Sequence, residues 1–258
     1  MKKYIPDLVT LMNLVCGTCA CILAVWGNMF PAFLFIVGAA CFDFLDGFCA
    51  RLLKTQSDLG KQLDSLCDMV SFSLAPTLMA FNWMVHFSGG SNALAYFTFV
   101  FVCCAALRLA RFNIDASQKV DFKGLAVPAA AIILAPMLAY GEVCATRNFS
   151  SVLLPLLNSK WFIPVVCVAL GLLMVSNIPM FSLKGKKLSF RQYPRESVHF
   201  AAFLLLAVPL AVIKATLLKV GFFYATLPLL LIFTFILYIL VNLVAIGTGK
   251  KEQGKEED

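Results

Sequence analysis

Charge is what this sequence has least of. Of its 258 residues, 14% are Asp, Glu, Lys or Arg and 61% are hydrophobic. Soluble domains carry roughly 25% charge and about half apolar residues. Too few ionic groups remain to dress a water-facing surface, which excludes disorder, a fibrous repeat and a compact soluble enzyme. Histidine is nearly absent, with two in the chain. His86 and His199 read as interfacial residues apart from the acids. Cysteine is present but lacks pattern: Cys16-x-x-Cys19 has no second pair and no flanking histidine. Most of the ten cysteines fall inside apolar runs and read as small buried hydrophobes, not as a disulfide framework. No basic stretch is interleaved with aromatics, which removes a nucleic-acid face. The apolar segment after Met1-Lys2-Lys3 lacks a small-residue cleavage site and reads as a retained membrane segment.

What is there is a series of charge-free apolar runs, at a mean hydropathy of +0.88. About 20 such residues cross a bilayer core. Runs near residues 8–26, 30–43, 64–86, 93–107, 126–145, 161–178, 198–213 and 221–246 predict an all-α polytopic membrane protein of eight transmembrane helices. Turn signals fall between several runs, at Gly27-Asn28, at Ser88-Gly89-Gly90-Ser91-Asn92, and at Gly185 and Gly221. The whole chain, 1–258, reads as a single membrane-embedded domain ending in a charged tail, 249–258.

Cationic residues gather on the cytoplasmic side of membrane proteins. With eight spans and the N-terminus inside, only Arg147, Lys160, Lys214 and Lys219 of the 21 Lys and Arg fall outside. This asymmetry supports the even count and places both termini in the cytoplasm. A basic loop, 184–195, reads as a topology determinant against anionic lipid.

The scarce acids are unevenly placed. Asp43, Asp46, Asp58, Asp64 and Asp68 crowd into one stretch, although the chain holds 14 acids in all. Ionisable groups at membrane depth are costly and mark functional sites. Asp43, Asp46, Gly47 and Ala50 share one helical stripe, followed by Arg51. Gly60, Asp64 and Asp68 form a second stripe on the next helix. Asp58 alone reads as a helix-terminal charge. The short connector makes the two helices neighbours, so four carboxylates can converge. Like charges in a low-dielectric cleft either protonate or bind cations. Carboxylate oxygens suit Mg²⁺, Mn²⁺ or Ca²⁺, and two such ions would offset four acids. Gly47 and Ala50 leave room for a large ligand, and Arg51 offers a fork for phosphate.

The pattern Asp43-x-x-Asp46-Gly47-x-x-Ala50-Arg51, then eight residues, then Gly60-x-x-x-Asp64-x-x-x-Asp68 resembles the CDP-alcohol phosphotransferase signature at every fixed position. Pro6-x-x-x-Thr10-x-x-Asn13 is similar to that family's first segment. Gly60-Lys61-Gln62-Leu63-Asp64, Arg108-Leu109-Ala110-Arg111-Phe112-Asn113 and Phe122-x-Gly124-Leu125 resemble the branch of the family that makes phosphatidylserine. Cys67, Ser73 and Ala126 depart from the pattern; all are small and none is an expected ligand.

The resemblance implies the family's membrane-embedded fold and transfer of a phosphatidyl group from CDP-diacylglycerol to L-serine, releasing CMP. Asp43, Asp46, Asp64 and Asp68 would hold two divalent ions, with Asp68 also the base. Asn13, with Thr10 behind it, is carried over as a CDP contact, together with Asp46, Gly47, Ala50, Arg51 and Ser57. A serine carboxylate needs a cation, so Arg111, Arg108, Asn113 and Lys123, within an acceptor-side segment of about 108–130, are the candidates there. Anchoring to lipid head groups is the competing reading of those arginines. Glycerol phosphate, inositol phosphate or choline would be alternative acceptors. A cation-coupled transporter fits poorly, because the acids cluster at one face with no second copy. The resemblance further implies a homodimer, here in a prokaryotic inner membrane with the site facing the cytoplasm.

Overall fold

The structure, a computed structural model, describes residues 5–53, 55, 57–86, 92–114, 122–147, 153–180, 227–237 and 239. Its helices are α1 (Ile5–Val25), α2 (Met29–Leu53), α3 (Asp58–Asp68), α4 (Ala75–His86), α5 (Asn92–Ala95), α6 (Phe99–Ile114), α7 (Val127–Thr146), α8 (Leu153–Leu157), α9 (Phe162–Val175) and α10 (Leu227–Leu237). Among the described residues, four helical stretches are long and apolar enough to cross a membrane: Ile5–Val25, Met29–Leu53, Ala93–Ile114 and Val127–Thr146. They coincide with four of the expected spans, and the protein is an integral membrane protein. The third expected span is one helical path through α3, a π-helical turn (Met69–Leu74) and α4. The sixth holds the shorter α9. The seventh expected span, most of the eighth, the 184–195 loop, His199 and the charged tail lie outside the described residues.

Small residues set the packing. The buried positions of α1 are Pro6, Thr10, Asn13, Gly17, Ala20 and Ala24, a seam that repeats every three or four residues. This seam lets α1 lie close to α2, α3 and α4. At Gly17 the approach is tight, since a Cβ would sit 2.7 Å from Ser71 Cα. Helices in lipid gain little from the hydrophobic effect between themselves and rely on such close contact. The wider π turn brings Ser71, Phe72 and Ser73 all inside. Such turns are frequent at functional sites.

Helix α7 is the buried post of the fold. Alanines 129, 130, 131, 135 and 139 are all buried along it. Gly141 admits Trp83, whose Nε1 donates to the Leu157 carbonyl at 3.2 Å. Glu142 reads from the sequence as an interfacial charge, and the structure gives it a specific task. Its Oε2 accepts the Phe30 N–H at 2.6 Å, satisfying an otherwise open donor at the start of α2. Helix α2, which carries Asp43 and Asp46, is thus tied at its far end to α7.

Among the described residues, one small departure from helix occurs after α6. A two-residue strand β1 (Phe122–Lys123) pairs antiparallel with β2 (Pro179–Met180). Gly124 follows with φ +75°, a conformation costly for any residue with a Cβ. Its N–H donates to Ile178 O at 2.8 Å, and Leu125 N–H donates to Leu173 O at 3.0 Å. Residues 122–125, just before α7, are therefore fastened to the end of α9 and the residues that follow it.

Candidate active site

Three helices build the site. Helix α2 carries Asp43, Asp46, Gly47, Ala50 and Arg51. Helix α3 starts at Ser57, whose Oγ accepts the Gly60 N–H at 3.0 Å as an N-cap. Two turns later come Asp64 and Asp68. Helix α1 runs beside both and contributes its polar seam.

Asp43, Asp64 and Asp68 each present an oxygen, and these oxygens lie within 4.8 Å of one another. Two of the acids are half-buried and Asp68 is buried. Three anionic carboxylates at that spacing repel strongly where water is scarce. A divalent cation would offset the repulsion, and an all-oxygen donor set matches a hard ion such as Mg²⁺, Mn²⁺ or Ca²⁺. The residues present therefore fit a metal centre. Asp46 is held slightly differently. It is buried, and its Oδ2 accepts a short bond from Thr10 Oγ1 at 2.6 Å. Of the four expected acids, Asp43, Asp64 and Asp68 thus converge, and Asp46 stands beside them held by Thr10.

Beside the acids lies a cavity of about 220 Å³. Its walls include Pro6, Asp7 and Thr10 from α1, Asp46, Gly47, Ala50 and Arg51 from α2, and Thr55, Ser57, Gly60, Lys61 and Asp64 from the turn and α3. The expected nucleotide contacts Asp46, Gly47, Ala50, Arg51 and Ser57 therefore share one hollow. The Arg51 guanidinium lies over Gly47, its Nη1 3.7 Å from where a Cβ would stand, an ordinary contact distance. The α3 N-terminus also borders the hollow, and open N–H groups at such an end attract phosphate.

Asn13 stands apart from that group. It is fully buried and is not among the cavity walls. Its Nδ2 donates to Asp68 Oδ1 at 3.3 Å, and its own carbonyl accepts from Ser71 Oγ at 3.1 Å. Thr10 borders the cavity, and Asn13 sits one turn deeper against the carboxylate of Asp68.

The acceptor-side residues are dispersed along α6 and beyond. Arg108 is buried, with its guanidinium 5.7 Å from the Phe112 ring centroid. Arg111 is exposed and donates through Nη1 to Val175 O at 3.2 Å, at the end of α9. Asn113 bonds Ser65 at 3.0 Å through Nδ2, which also reaches Gln62 Oε1 at 3.4 Å. These contacts pin the end of α6 to the helix that carries Asp64 and Asp68. Lys123 lies in β1, opposite Pro179, and its side chain is outside the described residues.

Five cavity walls were not among the expected contacts: Pro6, Asp7, Thr55, Gly60 and Lys61, although Pro6, Gly60 and Lys61 lie within the motifs quoted above. The available signal was helical spacing for Asp7, one turn before Thr10. Thr55 lies inside the eight-residue gap of the signature and Lys61 follows its Gly60; the pattern prescribes no residue type at either position.

A membrane-embedded helical protein with clustered acids beside a hollow bordered by Arg51 defines a class that agrees with the sequence family. The model of the CDP-alcohol phosphatidyltransferase family matches residues 3–173, and the chain belongs to that family. Among curated proteins it is similar to the CDP-diacylglycerol–serine O-phosphatidyltransferase of Bacillus subtilis, 37% identical over 135 residues, covering 51% of this chain and 73% of that one. The enzyme of the same name from Methanocaldococcus jannaschii is 35% identical over 174 residues, 67% of this chain and 72% of that one. That of Helicobacter pylori is 32% identical over 190 residues, 73% and 76% of the two chains.

Proposed function

We propose that this protein transfers the phosphatidyl group of CDP-diacylglycerol to the hydroxyl of L-serine, forming phosphatidylserine and CMP. The observation that carries the reading is the convergence of Asp43, Asp64 and Asp68 beside a hollow bordered by Arg51 and the capped start of α3. The relatives' names support serine as the acceptor.

Phosphoryl transfer asks a protein for position and charge stabilisation more than for covalent help. Asp43, Asp46, Asp64 and Asp68 would hold two divalent ions, which when bound neutralise the pyrophosphate and polarise its phosphorus–oxygen bonds. Thr10 fixes the Asp46 carboxylate by donating to one of its oxygens. Asn13 does the same for Asp68. Asp68 takes the serine hydroxyl proton as the serine oxygen bonds to the phosphorus that carries diacylglycerol. The bond from that phosphorus to the bridging oxygen breaks, and CMP leaves with the electron pair. Arg51, Ser57 and the α3 N–H groups steady the departing phosphate. Gly47 and Ala50 let the nucleotide approach the backbone of α2.

At the acceptor end, Arg111 pairs with the serine carboxylate. A guanidinium has five donors, so the bond from Nη1 to Val175 leaves others for a ligand. Arg108, Asn113 and Lys123 belong to the same segment and would orient the amino acid. A single catalytic domain, eight spans, a cytoplasmic active face in a prokaryotic inner membrane and a homodimer complete the proposal.

The test is CMP release by the purified protein, given CDP-diacylglycerol, a divalent metal and a panel of alcohols. Serine-dependent release is expected. Release only with glycerol phosphate, inositol phosphate or choline would replace serine as the acceptor, and no release with any alcohol would refute phosphotransfer.

A further inference from the structure

The C-terminal end of α7 meets both helical paths that carry the acids. At Gly141 a Cβ would stand 2.8 Å from the Trp83 ring, so α4 closes directly onto α7 there. The next residue, Glu142, is half-buried and accepts the Phe30 N–H through Oε2 at 2.6 Å. An ionisable side chain within a membrane-spanning helix is costly and marks a task. The first turn of α2 shows what the task is. There the Met29 N–H donates to Gly27 O and the Ala32 N–H to Asn28 O, both at 3.1 Å, and Pro31 has no N–H to place. The Phe30 N–H instead crosses to α7. A carboxylate at this point also meets the positive end of the α2 dipole.

A bond at this end has leverage on the other. A hydrogen-bonded helix is stiff along its axis, so a shift at one end reaches the far end as a rigid displacement. Asp43 and Asp46 lie about 20 Å and about 24 Å beyond Phe30 along α2, at 1.5 Å per residue. The path through α4, the π turn and α3 carries Asp68 and Asp64 away from Trp83 in the same direction. Helix α2 packs along α7, whose buried residues include the alanines at 129, 130, 131, 135 and 139. Small side chains allow close approach but form shallow ridges, which resist sliding weakly. A directional bond at the end of such an interface fixes what packing leaves loose. The oxygens of Asp43, Asp64 and Asp68 meet within 4.8 Å. A slip of α2 by a fraction of one turn, about 5.4 Å in full, would part them.

We infer that Glu142 is a positioning residue for the transfer reaction: from the far end of α7 it sets where Asp43 and Asp46 stand along the bundle relative to Asp64 and Asp68. The inference rests on the reading that these acids hold the divalent ions. Glu142 acts several turns away from them, through the rigid body of α2.

The experiment uses the full detergent-solubilised chain. Mn²⁺ binding is measured by the paramagnetic resonance of the free ion, thermal unfolding is followed without metal, and serine-dependent CMP release is assayed in parallel. Glu142→Leu should weaken Mn²⁺ binding and lower kcat by about tenfold each, the low end of what misplaced ligands cost, with the serine KM unchanged. Glu142→Gln keeps an oxygen that accepts the Phe30 N–H and should bind Mn²⁺ like wild type. Glu142→Asp keeps the charge but shortens the reach by one methylene, and should show a loss even where Glu142→Leu does not fold. Trp83→Phe controls for stability: it keeps a ring over Gly141, loses the bond to Leu157, and should lower the melting temperature without changing Mn²⁺ affinity. Wild-type Mn²⁺ affinity in Glu142→Leu or Glu142→Asp, or an equal loss in Glu142→Gln or Trp83→Phe, would overturn the inference. A wild-type protein that neither binds Mn²⁺ nor releases CMP would overturn the phosphotransferase reading and this inference together. An active wild type with an indifferent Glu142 sinks the inference alone.

Discussion

The two ends of this site are built differently. On the donor side, Asp46 and Asp68 are buried and are each gripped by a side chain from α1. On the acceptor side, Arg111 and Asn113 are exposed, and Arg111 reaches a backbone carbonyl of α9. Buried side-chain pairs between helices cannot shift without leaving a polar group unsatisfied. Exposed groups on a helix end can exchange partners cheaply. The proposed donor end is therefore rigid and the proposed acceptor end adaptable.

This contrast can be broken in graded ways. The largest expected effect is at Asp68. Asp68→Asn should lower turnover by roughly a thousandfold, within the range of general-base catalysis, while CDP-lipid binding persists. Wild-type-like CMP release would remove Asp68 from the chemistry. Next is Asn13→Ala, which strips Asp68 of its buried donor. One hydrogen bond to a charged group is worth about 1.5–3 kcal/mol, so kcat should fall about tenfold to a hundredfold with the KM for CDP-diacylglycerol little changed. A rise in that KM at constant kcat would instead make Asn13 a nucleotide contact.

Arg111→Ala sharpens the other end. The serine KM should rise about tenfold, on the scale of one charge-assisted bond, and the KM for CDP-lipid should hold. Equal effects on both constants would mean that the bond to Val175 is the whole of its role. The smallest effect is expected at Asp58. Its pair with Lys61 spans 3.4 Å between side chains that are 68% and 101% exposed, and such pairs contribute little. Asp58→Ala should leave turnover and thermal stability close to wild type. A large loss of turnover would extend the rigid donor end to the outer face of α3.

The same contrast governs what could be read from the sequence. The acids were legible because helical spacing alone places Asp43 with Asp46, and Asp64 with Asp68, whatever the rest of the fold does. Four membrane-length helices were legible from the scarcity of charge. That Thr10 borders the cavity and Asn13 does not was hidden, because which of two seam residues faces a cavity depends on how α1 rotates against its neighbours. The π turn was hidden too, since a periodic reading assumes 3.6 residues per turn through Met69–Leu74. Glu142 gave no local sign that it caps α2, more than a hundred residues away in the chain. The partners of Arg111 and Asn113 arise from packing of α6 on α9 and α3, which no motif spells out.

The central claim is that the carboxylates of α2 and α3 form a metal-dependent phosphotransfer centre. The most direct measurement is serine-dependent CMP release after exhaustive chelation, followed by titration with Mg²⁺ or Mn²⁺. The account predicts that chelation stops release, that a divalent ion restores it, and that Asp64→Asn raises the ion concentration needed. Full turnover in the presence of chelator would contradict it.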